Sequence, residues 1–299
     1  MKVPTAPVIE YPRRRASSPT QEVATFLRCR PTAVLEPYIR CFWWSRRVAP
    51  QDFWEHILPS GGVQMLFALH DSPITCLPGP DFRHRVVWSD SIVHGPQSSY
   101  YIAGPKPCGA VLGVAFRPGG ATAILGAAMA DLMDQHVTLG TLWGKPGQLL
   151  QERLRAAGSP GELFQILEKE LSARIRERLV VHPAIARALT LRSCAKVGDA
   201  QRESGYSPKH FISLFRSATG LTPKHYFRIQ RFNAVSRCLA AGVGSNLAEL
   251  AAAAGYSDQA HLTREFGEFS GTTPTRYFPA TSDQPFHHRT ALAMKPGLR

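Results

Sequence analysis

Between residues 25 and 118 the apolar positions fall in short runs cut by glycine and proline. Cys41-Phe42-Trp43-Trp44-Ser45 is aromatic and β-prone. Val63-Gln64-Met65-Leu66-Phe67-Ala68-Leu69 follows Ser60-Gly61-Gly62. Val86-Val87-Trp88, Ser99-Tyr100-Tyr101-Ile102 and Ala110-Val111-Leu112-Gly113-Val114-Ala115-Phe116 come next. Many short strands at close spacing predict a barrel or a sandwich. After Arg117-Pro118-Gly119-Gly120 the pattern turns helical, with helices predicted over 121–125, 148–157 and 161–179. In the last, Leu163, Ile166, Leu167, Leu171 and Ile175 form an apolar stripe. Lys169, Arg174, Arg176 and Arg178 alternate with Glu168, Glu170 and Glu177 on the opposite, exposed face. The stripe favours packing on its own domain over contact with a second copy. From Pro183 onward the chain reads as helices separated by single glycines.

That last region contains a repeat. Gly205-Tyr206-Ser207 recurs as Gly255-Tyr256-Ser257. Phe211 and Phe215 follow the first serine; Leu262 and Phe266 follow the second, with one residue inserted. Gly220-Leu221-Thr222-Pro223 is matched by Gly271-Thr272-Thr273-Pro274, and Tyr226 by Tyr277. Each copy predicts a short helix closed by a left-handed glycine, then a second helix capped by the serine. Residues four apart share a helical face, so Phe211/Phe215 and Leu262/Phe266 pack inward. The outer face then carries Lys209, Ile212, Ser213 and Arg216 in the first unit, and Gln259, Ala260, Thr263 and Arg264 in the second. A helix, a turn and a capped helix with a polar outer face is the shape that enters a DNA major groove. The core of this region is expected from Ile185, Leu189, Phe211, Phe215, Ile229, Leu250, Leu262 and Phe266.

Charge supports that reading. The chain of 299 residues carries a formal charge of +13. Residues 182–299 hold 15 basic against seven acidic residues, residues 51–181 hold 11 against 12, and residues 1–50 hold nine against three. The basic C-terminal third suits a polyanion, and the middle is a neutral block. A hydrophobic content of 44% supplies packed cores and excludes global disorder. No apolar run approaches the ~18 residues of a membrane span, and no apolar stretch follows Arg13-Arg14-Arg15. Six scattered cysteines without a Cys-x-x-Cys pair argue against a zinc ribbon or a disulfide framework and fit a reduced, cytoplasmic protein. Residues 1–20, with four prolines, and residues 280–299 are expected to be a flexible arm and tail.

Catalytic signatures fail on inspection. Gly140-Thr141-Leu142-Trp143-Gly144-Lys145-Pro146 has three residues between the glycines of a phosphate loop where four are needed, and Pro146 replaces the metal-binding hydroxyl. No Gly-x-Ser-x-Gly or His-Glu-x-x-His occurs. His70, His84 and His94 with Asp71 and Cys76 lack a recognised ligand spacing, so no metal and no cofactor is expected. Trp43, Trp44, Trp54 and Phe67 are candidates to line a pocket; ordinary core is the favoured reading.

On these motifs the C-terminal ~115 residues resemble the DNA-binding domain of AraC/XylS-type transcriptional regulators. Gly255-Tyr256-Ser257-Asp258, His261-Leu262-Thr263-Arg264-Glu265-Phe266 and Gly271-Thr272-Thr273-Pro274-Thr275-Arg276-Tyr277 carry the resemblance. It implies two helix-turn-helix units in a seven-helix domain, joined by a long helix over about 224–241. It also implies base reading by Lys209, Ile212 and Ser213, and by Gln259, Ala260, Thr263 and Arg264. Two departures stand in the first unit: Gln201 occupies the place of the small Ala251 and directs an amide toward the recognition helix, and Ile212 and Ser213 are short where longer polar side chains are common. Residues ~30–175 resemble the cupin-like N-terminal domain of some members, through Leu35-Glu36-Pro37-Tyr38-Ile39, Ile57-Leu58-Pro59-Ser60-Gly61-Gly62 and Gly113-Val114-Ala115-Phe116-Arg117-Pro118-Gly119-Gly120. The expected architecture is α+β: a mostly β cupin-like domain over 21–180 that senses an effector or dimerises, then an all-α double helix-turn-helix domain over 181–279. The expected function is sequence-specific transcription regulation without catalysis. Double-stranded DNA is the implied partner, with a small-molecule effector, a second copy of the chain and RNA polymerase as further candidates. The rivals are a cupin-type enzyme with a DNA-targeting tail and a non-specific architectural DNA binder.

Overall fold

The computed structural model describes residues 8–10, 24–48, 50, 54–69, 73–79, 82–106, 108–176, 181–191, 197–243, 246–277 and 287–290. Its first part is built on two antiparallel sheets. The strands are β1 (Val8–Glu10), β2 (Ala24–Cys29), β3 (Ile39–Arg47), β4 (Trp54–Ile57), β5 (Gln64–Leu69), β6 (Ile74–Leu77), β7 (Val86–Trp88), β8 (Ser91–His94), β9 (Tyr101–Ala103), β10 (Gly109–Phe116), β11 (His136–Thr138) and β12 (His287–Thr290). One sheet runs β1-β2-β3-β10-β5-β8-β11, the other β12-β4-β9-β6-β7.

The long central strands β3, β10 and β5 alternate, which places Phe42, Leu112, Val114, Met65 and Phe67 on one face, all fully buried. Four helices cover that face: α1 (Ala121–Leu125), α2 (Leu139–Trp143), α3 (Lys145–Ala156) and α4 (Pro160–Ser172). The predicted stripe packs here, with Leu163, Leu167 and Leu171 buried and Ile166 and Ile175 against them. The helix ends at Ser172, short of the predicted 179, because the chain leaves it to donate from Arg176 N to Ala123 O (3.0 Å). Trp44 and Phe67 belong to this core, Trp54 to a separate cluster with Leu77 and Ile102, and Trp43 stacks on Phe26; the four aromatics line no shared pocket.

The second part is helical: α5 (Pro183–Leu189), α6 (Val197–Ser204), α7 (Pro208–Thr219), α8 (Pro223–Ala240), α9 (Leu247–Ala254) and α10 (Gln259–Ser270). A 3-10 turn at Pro274–Arg276 follows α10, and six of the expected seven helices lie among the described residues. The predicted core residues sit in one cluster, with Ile185, Phe211, Phe215, Ile229, Leu250, Leu262 and Phe266 buried and Leu189 packed against them.

Two further expectations need correction. β1 and β12 lie in the segments read as flexible arm and tail; β1 pairs with β2 and β12 with β4, each at a sheet edge. Edge pairing uses backbone groups and needs no side-chain pattern. The rest of those segments, with Arg13–Arg15, lies outside the described residues, as do His70 and Asp71.

Candidate nucleic-acid interface

Each helix-turn-helix unit is assembled by local chemistry. Gly205 and Gly255 close α6 and α9 at φ of 71° and 83°, in the left-handed region that favours glycine. In the first unit Ser207 caps α7 by accepting from His210 N (3.4 Å). In the second the cap is Asp258, not the expected Ser257: Asp258 Oδ1 accepts from His261 N (2.7 Å), and the Ser257 hydroxyl donates to Asp258 Oδ2 (3.0 Å). The inserted residue noted in the repeat moves the helix start by one position. The His261 N–H and the Ser257 hydroxyl hold the Asp258 carboxyl below its usual range, with Arg264 nearby adding to the effect. Gln201 also departs from expectation. Its amide turns back and donates to Tyr206 O (2.5 Å), so it closes the turn.

Helix α8 joins the units and packs on both. Tyr226 meets Phe215 at 5.3 Å between ring centroids, and Phe232 meets Phe266 at 5.0 Å. Glu265, 3% exposed, faces α8 and accepts from Arg228 Nε (2.7 Å), with Arg231 at 3.5 Å. Arg228 also pairs with Glu268 and lies over the Phe269 ring. This ion-pair cluster fixes α10 against α8 by charge as well as by aromatic packing.

The outer faces of α7 and α10 remain open. Lys209, Ile212, Ser213 and Arg216 are exposed on α7, with Ile212 at 43%. Gln259, Ala260 and Arg264 are exposed on α10, and Thr263 is half-buried. All eight residues singled out from the repeat thus lie on two solvent-facing helix surfaces, opposite the aromatic core.

The opposite, C-terminal ends of both helices abut the β domain. Thr122 Oγ1 donates to Ala218 O in the last turn of α7 (3.3 Å), and His56 Nδ1 donates to Ser270 O at the end of α10 (2.7 Å). These carbonyls have no partner within their own helix. Gly220 and Gly271 follow these ends, and each touches the β domain so closely that no Cβ fits: one at Gly220 would lie 2.5 Å from Met129 O, and one at Gly271 2.6 Å from the Tyr100 ring. His225 Nε2 donates to Ser98 O (2.9 Å), while Gln230 and Asn233 on α8 donate to Ser60 O. Leu58 is buried in the helical core. Sequence reasoning missed this contact; its one visible trace is the doubled Gly-x-Thr-Pro.

Residues 201–280 match the helix-turn-helix domain family. The C-terminal part of the chain therefore carries a helix-turn-helix domain of that family. A domain of this kind is a DNA-binding module. Residues 27–138 match a domain of unknown function (DUF6597). No curated protein matches the chain. Solved structures similar to it include ToxT from Vibrio cholerae O395, at 10% identity and a TM-score of 0.40, covering 76% of this chain and 95% of that one. The same protein bound to (E)-4-(8-methylnaphthalen-1-yl)but-3-enoic acid gives 13% and 0.41, covering 78% and 97%. Unsaturated fatty acid-bound ToxT from strain SCE256 gives 8% and 0.38, covering 77% and 94%. These likenesses are distant, and the reading of residues 201–280 as a helix-turn-helix domain rests on the family match and its geometry. Among the described residues no helix is long and apolar enough to cross a membrane.

Proposed function

We propose that the chain is an AraC-type transcriptional regulator and that both its helix-turn-helix units read DNA, α7 and α10 entering successive major-groove segments with one protomer. The observation that carries this reading is the shared polarity of the two helices: outer faces open, C-terminal ends held by the β domain. Gln259 suits a bidentate contact to adenine, Arg264 one to guanine, and the Ile212 side chain fits a thymine methyl. Lys209 and Arg216 supply phosphate contacts that set register. Ser213, Ala260 and Thr263 are small enough to let the backbone of each helix come close to the base edges. Residues 21–180 serve as the sensing or dimerising half in the cytoplasm, answering to a small-molecule effector, a second copy of the chain or RNA polymerase, and residues 181–279 as the reader.

Selection from randomised DNA tests the reading. Two short conserved blocks per protomer are expected, and Arg264→Ala is expected to blur one position in one block. Enrichment of no motif overturns sequence-specific reading. Enrichment of a single block overturns the role given to α7.

A further inference from the structure

The contact between the two halves rests on two neighbouring segments of the β domain, and a buried histidine pair joins them. Segment 95–100 follows β8; its Ser98 O and Tyr100 touch α8 and Gly271. Segment 127–135 precedes β11; its Met129 O touches Gly220, and Met133 packs on the helical core. The segments are tied by Gly95 N to Gln135 O (3.0 Å), by Asp134 N to Pro96 O (2.9 Å), and by Ser98 N and Oγ to the Asp134 carboxylate (both 2.7 Å). A Cβ at Gly95 would fall 1.7 Å from Leu132 O. Asp134 itself sits at φ 56°, a strained conformation for a residue with a side chain, held by these bonds.

At the root of both segments, His94 ends β8 and His136 begins β11, opposite each other in register. Their Nδ1 atoms lie 2.5 Å apart, so the neutral pair shares one proton. Among the described residues neither Nε2 has a hydrogen-bond partner, and both are buried. Tyr101 on β9 stacks on His94 and meets His136 edge-on, and Trp88 at the end of β7 closes the far side. Gln64 on β5 is paired with His94 in register. The charged and titratable groups around this site are Asp134, whose carboxylate is engaged by Ser98, and Glu55 on β4 and Cys76 on β6, which face Tyr101; Glu55 is paired with Lys106. A cavity of about 20 Å³ beside His94, lined also by Ser60, Gly95, Gln97 and Tyr101, has room for about one water molecule.

We propose that the His94–His136 pair is a proton-operated latch on the contact between the β domain and the helix-turn-helix domain. The neutral pair closes the strand ends and thereby seats both segments under α7 and α10. One added proton puts a cation in a buried aromatic site. A second sets two N–H groups face to face, and the contact breaks. Burial, with His136 adding to it, holds the His94 imidazole well below its usual range; burial pushes His136 down to about 4, against the pull of Asp134. Opening the strand ends to water returns both rings toward the ordinary value near 6.5, so acid favours the open form.

Hydrogen exchange of the full chain at about pH 7.5 and about pH 5, with labelling times corrected for intrinsic rates, tests this. Segments 95–100 and 127–135 and the peptide around Gly271 are expected to lose protection about tenfold or more in acid, while the centre of α8 keeps it. In His94→Gln/His136→Gln the pH response is expected to vanish. Equal protection at both pH values, or an unchanged response in the double variant, overturns the latch. Nitrogen-15 imidazole spectra of the wild-type chain give a readout independent of the variant's folding. Both rings are expected neutral at about pH 6; charged rings in a chain whose segments stay protected overturn it as well.

Discussion

Gly220→Ala separates two costs that the contact between the halves combines. Gly220 has φ 78°, and an L residue pays about 1–2 kcal/mol to sit there. Its new Cβ would also lie 2.5 Å from Met129 O and 2.8 Å from Pro96 Cγ, and the nearer atom is backbone that cannot rotate away. Overpacking of this kind costs about 1–3 kcal/mol more, relieved only by moving segment 127–135 off the end of α7. Gly242 is the matched control: φ 68°, with nothing among the described residues within 4 Å of an added Cβ. Chemical denaturation of both full-length variants, with small-angle scattering under native conditions, measures the two terms. Gly242→Ala is expected to lose about 1 kcal/mol and keep the wild-type radius of gyration. Gly220→Ala is expected to lose about 2–5 kcal/mol or to escape part of that loss by swinging the halves apart, with a larger radius. Equal stability loss and equal radii for the two variants would refute the close packing of α7 on the β domain.

Three other outcomes follow from the same geometry. Arg264→Ala is expected to cost ~1–3 kcal/mol of DNA affinity and to relax preference at one position; a uniform loss with a shallower salt slope in a binding titration would reassign Arg264 to phosphate. Glu265→Gln removes the buried charge between Arg228 and Arg231 and is expected to destabilise the chain by about 2 kcal/mol in denaturant, less than for a fully buried pair because both arginines are a quarter exposed. A folded-state His136 value of about 4 lies below the ordinary 6.5, so the associated stability is complete above pH 6.5 and declines as pH falls toward 4. The decline is on the order of 3 kcal/mol across that window, and His136→Gln is expected to flatten it in denaturation curves taken at each pH.

The sequence carried the helical half well because its signals are local. Left-handed glycines, a capping serine and apolar residues four apart all report on neighbours within one turn, and the long helix read over 224–241 is α8 at 223–240. The β half was legible where short apolar runs stand between turn residues, as in β3, β5, β7, β9 and β10. Strands β4 and β8 escaped because they bury polar residues, Glu55 and His56 in one and Ser91 and His94 in the other, so no apolar run marks them. The periodic Ile175 extended α4 on paper past Ser172, where a tertiary bond to Ala123 ends it. The outer-face residues of α7 and α10 could be named from spacing alone. The partners of Gly220 and Gly271 could not, because Met129 and Tyr100 lie far away along the chain and meet them only through the fold.

Hydroxyl-radical footprinting of the full chain on its selected DNA tests the central claim most directly. Two recognition helices on one DNA face require two protected major-groove segments about ten base pairs apart for each protomer, lost one at a time when the outer face of α7 or of α10 is substituted. A single protected segment, unchanged by substitutions at Lys209, Ile212 and Arg216, would contradict it.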